Sequence, residues 1–207
     1  MNVGAREAFD LAVAWVALGV AFTVFLQREL VNVLFGGLAG TVPEGLVAAA
    51  GQAFALSMVT VGVGFLLHEL AHKVVAIRFG QRAQFRADYG MLLLAIAGAF
   101  AGFLFAAPGA VYHRGRITAR QNGLIALAGP ITNLLLAVLF APLLTVSGFL
   151  GEVGVLGVGI NLLLAGFNMI PFGPLDGRSV LRWSKVVFVL VFVPSAALAV
   201  FGLLFVF

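Results

Sequence analysis

The chain contains no cysteine, and only 10% of its 207 residues carry a charge. Without cysteine there is neither a disulfide framework nor a thiolate metal ligand, and the redox compartment leaves no mark on the sequence. The shortage of charge excludes more. An ordinary soluble domain is about 25% charged and roughly 45–50% apolar, whereas here 62% of residues are hydrophobic and the mean hydropathy is +1.14. So few charged side chains do not cover the surface of a soluble globule. Disorder is excluded too, since it requires low hydrophobicity and high charge. Internal repeats, low-complexity tracts and polar linkers are also missing. Residues 1–207 therefore read as a single integral-membrane domain in a lipid bilayer, with its core over about 45–182. The excess of twelve Lys and Arg over eight Asp and Glu then reports topology, and no nucleic-acid partner is implied.

What is present is long apolar sequence. Stretches free of Asp, Glu, Lys and Arg run over 11–27, 45–67, 89–112, 121–151, 153–175 and 186–207, each reaching the roughly 17–25 residues that a helix needs to cross about 30 Å of hydrocarbon. The first reads as a retained helix. Glu7 and Asp10 spoil the basic start of a signal peptide, and no small-x-small cleavage site precedes Gln27-Arg28-Glu29. The polar pieces 27–44, 73–90, 113–122 and 176–185 read as loops, with Glu7 and Asp10 solvated, Asp88 paired to Arg86 and Lys73 snorkelling to the interface. Six crossings would divide the basic residues almost evenly between the two sides. Folding 89–112 back to the side it came from leaves Arg28 alone on the far side, and Gly90, Gly98, Gly102, Pro108 and Gly109 interrupt that stretch. The expectation is an all-α polytopic membrane protein with about five transmembrane helices plus one re-entrant hydrophobic element, six crossings being the alternative. By the positive-inside rule its basic face is cytoplasmic, in the cell membrane.

Chemistry concentrates at His68-Glu69-Leu70-Ala71-His72. On a helix, residues four apart share a face, so both histidines reach one metal ion. Glu69 lies about 100° round from His68, beside the ion rather than on it. Zinc with an open position lowers the pKa of its bound water to about 7, and a neighbouring carboxylate can take the proton. The bland alternative is a pair of helix-end histidines satisfied by backbone and water, but ionisable groups inside membrane segments are costly and functional by default.

A third ligand must come from His113 or from Glu7, Asp10, Glu29, Glu44, Asp88, Glu152 and Asp176. The folded-back topology puts Glu29, Glu44 and Glu152 on the wrong side, and Arg114 and Arg116 flank His113. Asp176 ends an apolar run on the side of the histidines. It closes Asn168-Met-Ile-Pro-Phe-Gly-Pro-Leu-Asp176-Gly177, where Pro171 and Pro174 stop a helix and free carbonyls that an extended substrate can pair with. Asn168 offers an amide to such a substrate or to a neighbouring helix. Gly129-Pro130-Ile131-Thr132-Asn133 suits close helix packing, with Asn133 facing the polar site as the second reading.

Taken together, the His-Glu-Leu-Ala-His helix, Gly-Pro-x-x-Asn and Asn-x-x-Pro-x-x-Pro-x-Asp-Gly, in that order over residues 60–182, resemble the site-2 protease family of intramembrane zinc metalloproteases. The resemblance implies one zinc ion per chain held by His68, His72 and Asp176, Glu69 as general base, and Asn168 in substrate handling; Asn133, on the reading that it faces the polar site, is a second candidate for substrate contact. It implies an endopeptidase whose partners are membrane proteins cut within or near their transmembrane segments. Arg178 stands where the family commonly has a second glycine. A membrane metal-ion carrier, or a zinc protein without catalysis, is the competing reading. The carrier gives Glu69 no reason to adjoin a ligand.

Overall fold

A computed structural model describes residues 3–35, 43–103 and 108–205. Among them are five helical runs long and apolar enough to cross a bilayer. These are α1 (Ala5–Leu26), the continuous run of α3 (Leu46–Ser57) into α4 (Val63–Arg78), α6 (Ala119–Phe140) with a short 3-10 extension, α7 (Phe149–Asn168) and α9 (Lys185–Phe205). Helices satisfy their own backbone, which lipid does not, so five of the six long uncharged runs of the sequence each become one of that length. Two pieces expected to be loops are instead short amphipathic helices, α2 (Arg28–Phe35) and α8 (Asp176–Trp183). A π-helical turn at Met58–Gly62 joins α3 to α4. Such a turn loosens the i→i−4 ladder, and Trp15 on α1 donates its indole N–H to the Met58 carbonyl at 2.9 Å.

The stretch 89–112 does not cross. Its last residues belong to a two-stranded antiparallel sheet, β1 (Arg82–Ala87) with β2 (Gly109–Arg114), in which Phe85 opposes Val111. This small sheet modifies the all-α expectation. It was illegible because β2 lies inside an apolar run and pairs across an inserted helix. That helix, α5 (Tyr89–Ala101), is capped by Asp88, whose carboxylate accepts from the Met91 N–H at 3.0 Å. Asp88 is therefore a helix cap rather than the partner of Arg86.

α5 runs alongside α1 in the same direction. Tyr89 donates its hydroxyl to Asp10 at 2.6 Å near the start of α1, and Arg28, just past the end of α1, donates to the Ala99 carbonyl at 2.9 Å. The chain turns at Gly102, with φ of +89°, the left-handed conformation glycine favours after a helix. By Pro108 it is back where it left, accepting from the Asp88 N–H at 3.1 Å. Residues 104–107 of the stretch lie outside the described residues. α5 thus enters the helical layer and returns to the same end.

That end holds the start of α1, the end of α4, the hairpin, the start of α6, the end of α7, α8 and the start of α9. Every Lys and Arg except Arg28 belongs to it. α6 starts there on a capping box between Thr118 and Gln121. Glu7, Asp10 and Lys73, expected to be solvated, are 2%, 3% and 0% exposed. Lys73 donates to both Glu7 oxygens at 2.6 Å, and Glu7 also accepts the Phe85 N–H at 3.0 Å. The hairpin and α5 cover this flank and turn it into interior. Phe85, fully buried, packs edge-on against Phe65 of α4 with centroids 5.8 Å apart, fastening the sheet to the histidine helix.

Candidate metal centre

α4 presents His68 and His72 one turn apart on its buried face, with the rings edge to face at 4.6 Å. Asp176 reaches them from α8. Its Oδ2 lies 3.2 Å from His68 Nε2 and 3.4 Å from His72 Nε2, and one ligand atom from each residue falls within 4.8 Å of the others. Backbone shape delivers the carboxylate. α7 stops at Asn168, the Pro171–Pro174 turn reverses the chain through Gly173 at φ of +57°, and α8 begins at Asp176. A Cβ on Gly177 would collide with the Met169 carbonyl, so only glycine lets α8 begin this close to the end of α7. Burial works against charge on Asp176, but His72 and His68 outweigh it and hold the carboxyl down at about 2. It is an anion at any physiological pH.

The outer ring nitrogens are committed elsewhere. His72 Nδ1 donates to the Ile125 carbonyl on α6 at 2.7 Å. His68 Nδ1 lies 2.5 Å from Asn133 Oδ1. Each Nε2 is thereby left as a lone-pair donor aimed inward. α6 crosses immediately beyond them at Gly129, where a Cβ would collide with both Nε2 atoms. The missing side chain leaves a cradle the size of an ion between the two nitrogens.

Glu69 is buried beside the pair, with the backbone of Val111 on β2 next to it. Asp176 Oδ2 and Glu69 Oε2 are both buried without a hydrogen bond. An orphaned buried acceptor is expensive, and two beside inward-facing imidazoles fit a cation. Two nitrogens and a carboxylate oxygen within 4.8 Å of one another are a zinc donor set.

The other expected site residues stand as follows. Asn168 turns its amide back to the Leu164 carbonyl at 2.9 Å. Asn133 is fully buried behind His68. Its Nδ2 donates to Asn161 Oδ1 at 2.8 Å and to the Gly64 carbonyl at 3.2 Å, so its amide is committed to protein and not free for a substrate. Asn161, which donates in turn to the Gly157 carbonyl at 2.8 Å, was not singled out by sequence reasoning. The available signal was an amide inside the uncharged run 153–175. His113, on β2, is half-buried, and burial and then the nearby His72 push its pKa down.

Three known proteins are similar to this chain in sequence. "Putative zinc metalloprotease MJ0611" of Methanocaldococcus jannaschii is 40% identical over 175 residues, covering 82% of this chain and 92% of its own. "Putative zinc metalloprotease YwhC" of Bacillus subtilis is 32% identical over 150 residues, 60% of this chain and 67% of its own. "Zinc metalloprotease MJ0392" of M. jannaschii is 29% identical over 136 residues, 62% of this chain and 34% of its own. No family model matches the sequence, and no solved structure matches it.

Proposed function

Because the chain belongs to this family of zinc metalloproteases, we propose that it is an intramembrane endopeptidase of the site-2 protease type, hydrolysing peptide bonds within or near transmembrane segments of other membrane proteins. The observation that carries the reading is the His68–His72–Asp176 cluster with Glu69 beside it, lodged inside a bundle of five long apolar helices. A soluble peptide has no reason to go there, and a transmembrane segment is already there.

Zinc bound by the three ligands would supply a Lewis acid that acidifies water and steadies the oxyanion of the transition state. Glu69 accepts the proton of the attacking water and hands it to the leaving amine. His68 and His72 stay neutral and oriented through their Nδ1 hydrogen bonds, and Asp176 contributes the negative charge that offsets the ion. Asn168, one turn ahead of the Pro171–Pro174 bend, is the residue assigned to substrate contact, and the bend offers backbone carbonyls to an unwound segment. The excess of Lys and Arg at this end of the bundle supports a cytoplasmic site in the cell membrane.

Purified protein in detergent, offered a panel of transmembrane peptides, tests the reading. Wild type should cleave with about one zinc per chain, the number an open three-ligand site holds. Glu69→Gln should keep the zinc and lose cleavage by a factor on the order of 100 or more, the contribution of a general base. A Glu69→Gln protein that cleaves as wild type does would refute the assignment. A metal-ion carrier should be indifferent to this substitution.

A further inference from the structure

We propose that Asn161 and Asn133 form a hydrogen-bond relay that sets the tautomer of His68 and so makes it competent to bind metal. Asn161 lies on α7 and touches neither His68 nor Asp176. The inference rests on reading the cluster as a zinc centre and adds two positioning residues to it.

A neutral imidazole carries one N–H, and the partner of one nitrogen decides which. For His68 that partner is a side-chain amide, which can present either an oxygen or an NH2 group. The amide of Asn133 faces two acceptors with its other end, the Gly64 carbonyl and Asn161 Oδ1. Acceptors on that side require Nδ2 there, which turns Oδ1 to His68. Asn161 is fixed in the same way, because its Nδ2 donates to the Gly157 carbonyl of its own helix. The sequence of donors therefore runs one way, from His68 Nδ1–H through Asn133 and Asn161 to Gly157. All three side chains are buried, with Asn133 and Asn161 both 0% exposed, so water does not substitute for a missing member. α4 admits the approach because residue 64 is glycine, where a Cβ would stand 2.8 Å from Asn161 Oδ1.

A reversed relay would present an NH2 group to His68 Nδ1, move the proton to Nε2 and remove the lone pair the metal needs. His72 is immune to such a reversal, since its partner is the backbone carbonyl of Ile125. The two ligands thus differ: one is oriented by backbone and the other by amides that substitutions can change.

The experiment compares wild type with Asn133→Leu, Asn161→Leu and Asn161→Asp, all purified in detergent with helicity checked by circular dichroism. Zinc dissociation constants are measured, and the metal-free Asp176→Ala protein carrying 15N-histidine, in which the carboxylate beside His68 Nε2 is gone, is examined by NMR. Both leucine variants should bind zinc about 10- to 100-fold more weakly, the usual effect of losing an outer-shell partner. Asn161→Asp should stay close to wild type. A buried aspartic acid keeps its proton, so it accepts from Asn133 and donates to Gly157 as the asparagine does. In metal-free Asp176→Ala, where no carboxylate faces Nε2, the His68 signals should be those of the Nδ1–H tautomer. The relay is refuted if the leucine variants bind zinc as wild type does, if Asn161→Asp binds as poorly as Asn161→Leu, or if His68 carries its proton on Nε2. A wild type that binds no zinc would instead overturn the metal-centre reading, while the NMR result would still decide the relay.

Discussion

His68, Glu69, His72 and Asp176 stand out in the sequence because charge is so scarce that each ionisable group inside or beside an apolar run needs a reason to be there. Their grouping follows from helical periodicity and from which ends of the runs face each other. Gly129 was legible only as a packing residue. Its part at the centre depends on α6 crossing directly over the two Nε2 atoms, which no local pattern encodes. Gly129→Ala is therefore expected to abolish stoichiometric zinc binding while the protein stays helical, as metal analysis beside circular dichroism would show, since the new methyl fills the cradle. Asp176→Ala should also weaken zinc binding, because two neutral histidines alone leave the ion's charge without an anion. Asn168→Ala, by contrast, should leave zinc content unchanged and lower cleavage, a separation that the same two assays would read.

At the scale of elements, the near end of the bundle is held by charges that the sequence presents as ordinary membrane flanks. Glu7 and Lys73 form a buried pair that ties α1 to α4, and through the Phe85 N–H to β1. Removing Lys73 leaves the Glu7 carboxylate buried without its cation, and breaking a buried pair in this way typically costs about 3–5 kcal/mol. Glu7→Leu or Lys73→Met alone should lower the thermal unfolding temperature in detergent markedly. The double variant should recover part of the loss, because an apolar pair removes the buried charges while the Phe85 N–H stays without its acceptor. α5 is held at both ends, by Tyr89 to Asp10 and by Arg28 to the Ala99 carbonyl. In Arg28→Ala, hydrogen exchange should speed up in the last turn of α5, around Ala99 and Phe100, with the start of the helix protected as before. An unchanged exchange profile would deny Arg28 this role.

For the whole molecule, the return of the chain after α5 decides which loops share a side. The natural absence of cysteine makes this testable without a background. Single cysteines at Arg82, Arg116 and Arg182 should react with an impermeant maleimide from one side of the membrane, and one at Asn32 from the other. Labelling of Arg82→Cys and Arg116→Cys from opposite sides would restore the full crossing of 89–112 and separate Asp176 from the histidines. Eleven basic groups gathered on one face is the pattern the positive-inside rule associates with the cytoplasm.

The properties that add up along the chain were determined by the sequence alone. Hydropathy summed over each run fixes the membrane character, the side on which Lys and Arg fall favours five crossings over six, and spacing of four on a helix fixes the facing of His68 and His72. These depend only on residues near one another in the chain. Tertiary structure decided the rest. β2 needed a partner on the other side of α5, and Glu7, Asp10 and Lys73 became interior only because the hairpin and α5 cover them. The amide of Asn133 took its direction from Gly64 on α4 and Asn161 on α7. In each case the deciding neighbour lies far away in sequence. Desolvation and hydrogen-bond direction arise from packing, and local composition carries no record of either.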